Sequence, residues 1–197
     1  LYIGFRFKGV NTNDVKMLTM MDMVLSNSTA GLIDLNLNQK QELIGGGCFP
    51  YVLEDYSMHG FYGTPKQGQM LEEVKGLLLA QIDEVKKGNF PDWLVEAIIS
   101  DLKLNQIKKL ENNSGRANEF VEAFTLGLSW KDYHNEMNEL EKITKQDIID
   151  FANEKYNDNY VVVYKRNGED SSIRNVNSIL QFIVNVNQLK MIHLKSV

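Results

Sequence analysis

The sequence predicts an α+β domain with a mixed, largely antiparallel sheet and helices packed on one face. Three observations carry this. A strand-like alternation opens the chain, two more strand segments follow one helical stretch, and a last strand closes after a long helical run. Strands that do not alternate one-for-one with helices argue against a doubly wound parallel sheet. The helical segments are amphipathic, so each has one face to bury.

In order, Leu1, Ile3, Phe5 and Phe7 alternate with Tyr2, Gly4 and Arg6, the pattern of a strand buried on one face. Gly9 to Asn13 reads as a turn and helix entry. Val15, Leu18, Thr19, Asp22 and Leu25 then recur at helical spacing, with Met17, Met20, Met21 and Met23 around them. Such a methionine stripe is expected to be adaptable core. A short helix is predicted around Leu32 to Lys40. Strands are predicted over Leu43 to Gly47 and Pro50 to Tyr62, separated by a Gly/Pro break. In the second, Tyr51, Leu53, Asp55, Ser57 and His59 fall on one predicted face. Gly45-Gly46-Gly47 lacks the Gly-Lys-Ser/Thr of a phosphate loop and reads as a strand bend.

Thr64-Pro65 resembles a helix cap with proline at the first position. Met70, Leu71, Val74, Leu77, Leu78, Ile82 and Val85 define the helix, and Lys86-Lys87-Gly88 ends it. A long helix follows Asn89-Phe90-Pro91-Asp92 through Leu94, Ile98, Leu102 and Leu110. Asn112 to Gly115 reads as a turn, and Phe120, Val121, Phe124 and Leu128 mark a third helix. Ser129-Trp130-Lys131-Asp132 and Thr144-Lys145-Gln146-Asp147 are capping boxes. Tyr160 to Tyr164 is the last clear strand, and residues 183–187 hint at another.

Composition narrows the function. The chain has 197 residues, with 21 basic and 26 acidic side chains for a net charge of −5. That excess argues against a nucleic-acid partner. No run approaches the roughly 20 apolar residues of a membrane span. Cys48 is the only cysteine, which argues against an intrachain disulfide and a cysteine zinc site; its apolar setting predicts a buried, inert thiol. His59, His134 and His193 show no metal-ligand spacing, and His59 is expected to be a packed or surface residue. Glu72 with Glu73, and Glu136, Glu139 and Glu141, read as solvated helix faces before acid/base pairs. No Gly-x-Ser-x-Gly elbow is present. The residues alone therefore show no active site. The first residue, Leu1, leads us to expect a piece of a longer protein.

One family fits the order of several segments. These are Gly31-Leu32-Ile33-Asp34-Leu35-Asn36-Leu37, Gly60-Phe61-Tyr62-Gly63-Thr64-Pro65-Lys66, Leu71-Glu72-Glu73-Val74, Lys87-Gly88-Asn89-Phe90-Pro91, Ile143 to Ile148 and Tyr160 to Lys165. From about Leu1 to Arg166 the chain resembles the non-metal domain of pitrilysin-type (inverzincin) zinc metallopeptidases. That family includes insulin-degrading enzyme and mitochondrial processing peptidase.

The resemblance implies an inactive peptidase-like domain over residues 1–166 and a tail of uncertain structure over residues 167–197. It implies a homologous zinc-bearing peptidase domain as partner, closing with this one around an unfolded peptide. The His-x-x-Glu-His motif of the zinc domain is absent here, so no catalytic residue, metal ligand or cofactor is expected in this chain, and zinc is expected in the partner. Related partner domains place an Arg and, several residues on, a Tyr near substrate. The register sets Asn38 at the place of the Arg and Gly45 at that of the Tyr. Asparagine offers no guanidinium fork and glycine no phenol, so direct help to the transition state is expected to be weak or missing. Peptide is expected to add to an exposed edge of the sheet that holds Leu1–Phe7 and Val52–Tyr62. The alternative is a structural scaffold derived from the same fold without proteolytic role. The single cysteine suits cell-envelope, periplasmic and cytoplasmic settings alike.

Overall fold

The structure is a computed structural model and describes residues 1–10 and 12–168. Leu1–Tyr164 forms one compact unit. The predicted strand within residues 183–187 lies outside the described residues.

Four strands make the sheet: β1 (Tyr2–Lys8), β2 (Gly45–Val52), β3 (Tyr56–Thr64) and β4 (Tyr160–Val163), in the spatial order β2-β3-β1-β4. All three pairings are antiparallel. The central strands are therefore β1 and β3, and β2 and β4 flank them. Six α-helices complete the described fold: α1 (Asn13–Leu25), α2 (Leu71–Lys86), α3 (Trp93–Leu110), α4 (Asn113–Thr125), α5 (Trp130–Leu140) and α6 (Lys145–Lys155). The short helix predicted near Leu32 ends in a π-helical turn, Asp34–Asn38.

The helices cover one face. Ile3, Phe5 and Phe7 of β1 and Phe61 of β3 join Leu18, Met20, Met21 and Val24 of α1, Val74, Leu78 and Ile82 of α2, and Ile148 and Phe151 of α6 in one core. Met17, Met20 and Met21 are buried, as a core stripe requires. Phe5 packs edge-on to Phe61 with ring centroids 5.9 Å apart, and against Tyr156 at 4.9 Å.

Three boundaries differ from the sequence expectation. First, β2 runs unbroken through Cys48, Phe49 and Pro50, and the turn falls at Leu53–Asp55. Pro50 is tolerated because β2 is an outer strand, where a missing N–H breaks no ladder bond. The side-chain alternation does not pass through that turn, so Tyr51 lies on the open face while Ser57 and His59 lie in the core. Second, α2 begins at Leu71 and not near Thr64. β3 extends to Thr64, Gln69 closes a turn by accepting from the Lys66 N–H, and Gly68 has a φ of +80°. Third, the predicted turn at Asn112 to Gly115 is the start of α4, where the Asn112 side chain caps the Gly115 N–H at 2.7 Å. The predicted box at Thr144 forms in full at the start of α6, while at α5 only half of the predicted box forms, with Ser129 capping the Asp132 N–H.

Candidate functional site

The helices leave the other face of the sheet open. Pairing brings Gly47, Tyr62, Tyr2 and Val163 into one row across the four strands, and Phe49, Gly60, Gly4 and Val161 into the next. Tyr51, Met58 and Arg6 follow. Tyr2, Phe49, Tyr51, Tyr62, Val161 and Val163 are all exposed. Together they form a contiguous apolar surface on the open face.

The glycines shape it. A Cβ at Gly60 would lie 2.5 Å from the Phe49 ring, and one at Gly47 would lie 2.9 Å from the Tyr62 hydroxyl. Each ring therefore lies flat over the neighbouring strand's glycine, an arrangement that covers bare backbone with aromatic surface. The result is a low aromatic platform. Arg6 adds a positive charge 5.1 Å above the Tyr56 ring.

The structure places Asn38 and Gly45 at the start of β2, on its free side. The Asn38 side chain donates to the Gly46 carbonyl at 2.8 Å and accepts from the Gly46 N–H at 2.9 Å. It thus imitates a further strand for one residue. Gly45 stands opposite Thr64, and a Cβ added there meets nothing within 4 Å. The Leu53 N–H to Tyr56 carbonyl bond fixes the parity of the hairpin. Gly46, Cys48 and Pro50 accordingly turn their backbone groups away from β3. With Gly46 held by Asn38 and Pro50 lacking an N–H, Cys48 is left to offer both backbone groups on that edge.

The same strand buries a polar cluster on its inner side. His59 Nδ1 lies 2.6 Å from the Tyr156 hydroxyl, and Nε2 lies 3.1 Å from Asp22 Oδ1. The Cys48 thiol donates to the Asp22 backbone carbonyl at 3.6 Å. Burial pushes the His59 pKa below its ordinary value, against the pull of the Asp22 carboxylate. Burial also raises the Cys48 thiol well above its usual range, and Asp22 adds to that. Burial likewise raises Tyr156, with Cys48 and Asp22 adding to it. Cys48 is partly buried, and His59 is fully buried and packed. His134 sits elsewhere, edge-on to Trp130 on α5. His193 lies outside the described residues. Sequence reasoning missed this cluster because its members stand at positions 22, 48, 59 and 156, with no motif spacing between them.

Several solved structures share this fold. A protease from Helicobacter pylori superposes with a TM-score of 0.75 at 17% identity over 81% of this chain and 39% of that one. The chain thus spans about two fifths of that protease. An inactive peptidase domain from Bordetella parapertussis gives 0.70 at 13% identity, covering 81% of this chain and 88% of the other. A chain of complex III2 from Candida albicans gives 0.66 at 13% identity over 81% and 41%. Among curated proteins nothing matches. The profile of the peptidase M16 inactive domain matches residues 1–102, more than half of the sequence, and the chain belongs to that family.

Proposed function

We propose that this domain is the non-catalytic half of a larger zinc metalloendopeptidase. In that assembly a homologous zinc-bearing domain supplies the catalytic ion, and the two halves enclose an unfolded peptide. The observation that supports this reading is the open aromatic face of the sheet. Tyrosines bind peptide surface with little loss of side-chain entropy. The free backbone groups of Cys48 on the β2 edge give such a peptide a hydrogen-bonding register. In this reading Asn38 and Gly45 contribute no charge or phenol to the reacting carbonyl, and residues 1–166 act as one inactive peptidase-like domain.

The test is a titration of the full chain with a fluorescent unfolded peptide. Binding should weaken at least tenfold in the Tyr2→Ala, Tyr62→Ala double variant. It should also weaken when the peptide backbone is N-methylated. Undetectable binding, or binding indifferent to both changes, would overturn the reading.

A scaffold role is the second reading. It draws on Asn38, which closes the edge, and on the fold shared with a complex III2 chain. It requires the open face to be covered permanently by another subunit. Isolation of a stable complex whose subunits all lack His-x-x-Glu-His would favour it.

A further inference from the structure

Beneath β2, three side chains with different donor atoms converge. The Cys48 sulfur, a ring nitrogen of His59 and a carboxylate oxygen of Asp22 all lie within 4.8 Å of one another. They come from α1, β2 and β3, and His59 is fully buried. We propose that Asp22, Cys48 and His59 supply three ligands of a Zn²⁺ site, with water in the fourth position, that ties α1 to the β2–β3 hairpin. It is separate from the catalytic zinc expected in the partner domain and does not depend on the peptide-binding role.

The donor set fits a borderline-soft ion. Thiolate, imidazole and carboxylate are the three side-chain ligands zinc takes. Zinc–ligand bonds of about 2.0–2.3 Å put tetrahedral donors about 3.3–3.6 Å apart. The His59–Asp22 separation of 3.1 Å is already near that value. The sulfur closes the rest, and it sits on an outer strand, the part of the sheet best able to give.

The surroundings fit as well. A ligating histidine normally has its second ring nitrogen fixed by a hydrogen bond. Tyr156 supplies it at 2.6 Å. With Tyr156 donating to Nδ1, the Nε2 proton points at Asp22. With Nδ1–H donating to Tyr156, Nε2 has a free lone pair for the ion. A shift of the His59 proton from Nε2 to Nδ1, together with release of the Cys48 thiol proton to solvent as the ion binds, thus converts a hydrogen-bonded cluster into a ligand set without moving the ring. A nucleophilic reading of Cys48 fails on the same geometry, because both ring nitrogens of His59 are engaged by Asp22 and Tyr156 and neither serves the thiol.

The full chain, stripped with chelator, reloaded with Zn²⁺ and desalted, should retain one zinc per chain by elemental analysis. Cobalt substitution should give a near-ultraviolet thiolate-to-cobalt band and the intense visible bands of a tetrahedral site. X-ray absorption at the zinc edge should show one sulfur at about 2.3 Å. Cys48→Ser, with its fold checked by circular dichroism, should abolish the charge-transfer band and the retained zinc. Tyr156→Phe should weaken zinc binding about 10–100-fold by removing the partner of Nδ1. Failure to retain zinc, a shell without sulfur, or a band that survives Cys48→Ser would overturn the proposal.

Discussion

Phe61 and Tyr62 are neighbours on β3, yet they belong to different problems. Phe61 is fully buried between Phe5 and His59, while Tyr62 is 40% exposed and lies over Gly47. The same contrast runs along all four strands. On the inner side, every large residue is packed against a helix or engaged in the His59 cluster. On the outer side, aromatic rings rest on glycines and face solvent. One face is consumed by folding; the other is the one the proposed peptide would meet. The comparison teaches that the period-2 alternation of a strand separates stability from binding, residue by residue.

The strongest way to break this division is truncation on each side. Phe61→Ala should cost about 3–5 kcal/mol of folding stability, because it empties a packed site. Tyr62→Ala should change stability by about 0.5 kcal/mol or less, as surface substitutions do, while weakening peptide binding. Urea denaturation of the two variants measures both. Equal losses would show that the outer face is part of the core.

Glycine substitutions sharpen the comparison at smaller magnitude. A Cβ at Gly63, on the inner side, would lie 2.6 Å from Val74 Cγ1 and 3.1 Å from Leu78. Gly63→Ala should therefore cost about 1–3 kcal/mol through overpacking. At Gly60 the obstacle is the exposed Phe49 ring, which can swing into solvent. Gly60→Ala should be the milder change in the same denaturation assay, and it should disturb peptide binding more than stability.

The buried histidine adds a pH dependence confined to the inner side. Burial lowers the His59 pKa in the folded chain. The unfolded chain then binds the proton more readily, so stability is complete above the unfolded value near pH 6.5. It declines as pH falls below that, toward the lower folded value. In chelator, the urea midpoint should drop between pH 7.5 and pH 5.5, and His59→Gln should flatten that slope. An unchanged slope in the variant would assign the titration to another group.

How much of this was legible in the sequence follows from the range of each interaction. The N-cap at Ser129, the capping box at Thr144, the alternation of Leu1 to Phe7 and the amphipathic face of α2 are local patterns, and each appears in the fold, with α2 starting later than predicted. The β2–β3 boundary was misplaced because Pro50 reads locally as a breaker. Only the sheet order makes it harmless. The aromatic platform needed the register, since Phe49 over Gly60 and Tyr62 over Gly47 are cross-strand relations. The His59 cluster needed all of the tertiary fold. Asn38 and Gly45, read from a family resemblance, do fall together at one edge of the sheet, yet the clamp between Asn38 and Gly46 had no sequence signal.

That edge carries the smallest predicted effect and the finest test of the two-face division. Gly45 begins β2 on the open side, its φ is not left-handed, and an added Cβ meets nothing within 4 Å. Gly45→Tyr should leave stability within about 0.5 kcal/mol of the parent, offsetting any lost solvation by reducing the freedom of the unfolded chain. Asn38→Ala, one strand-width away, should lose more, because it uncaps both backbone groups of Gly46. If the open face binds peptide, the new tyrosine extends the platform by one ring and should tighten peptide binding while the urea midpoint stays fixed. A shift in the midpoint with no change in binding would mean that the start of β2 belongs to the folding side of the sheet.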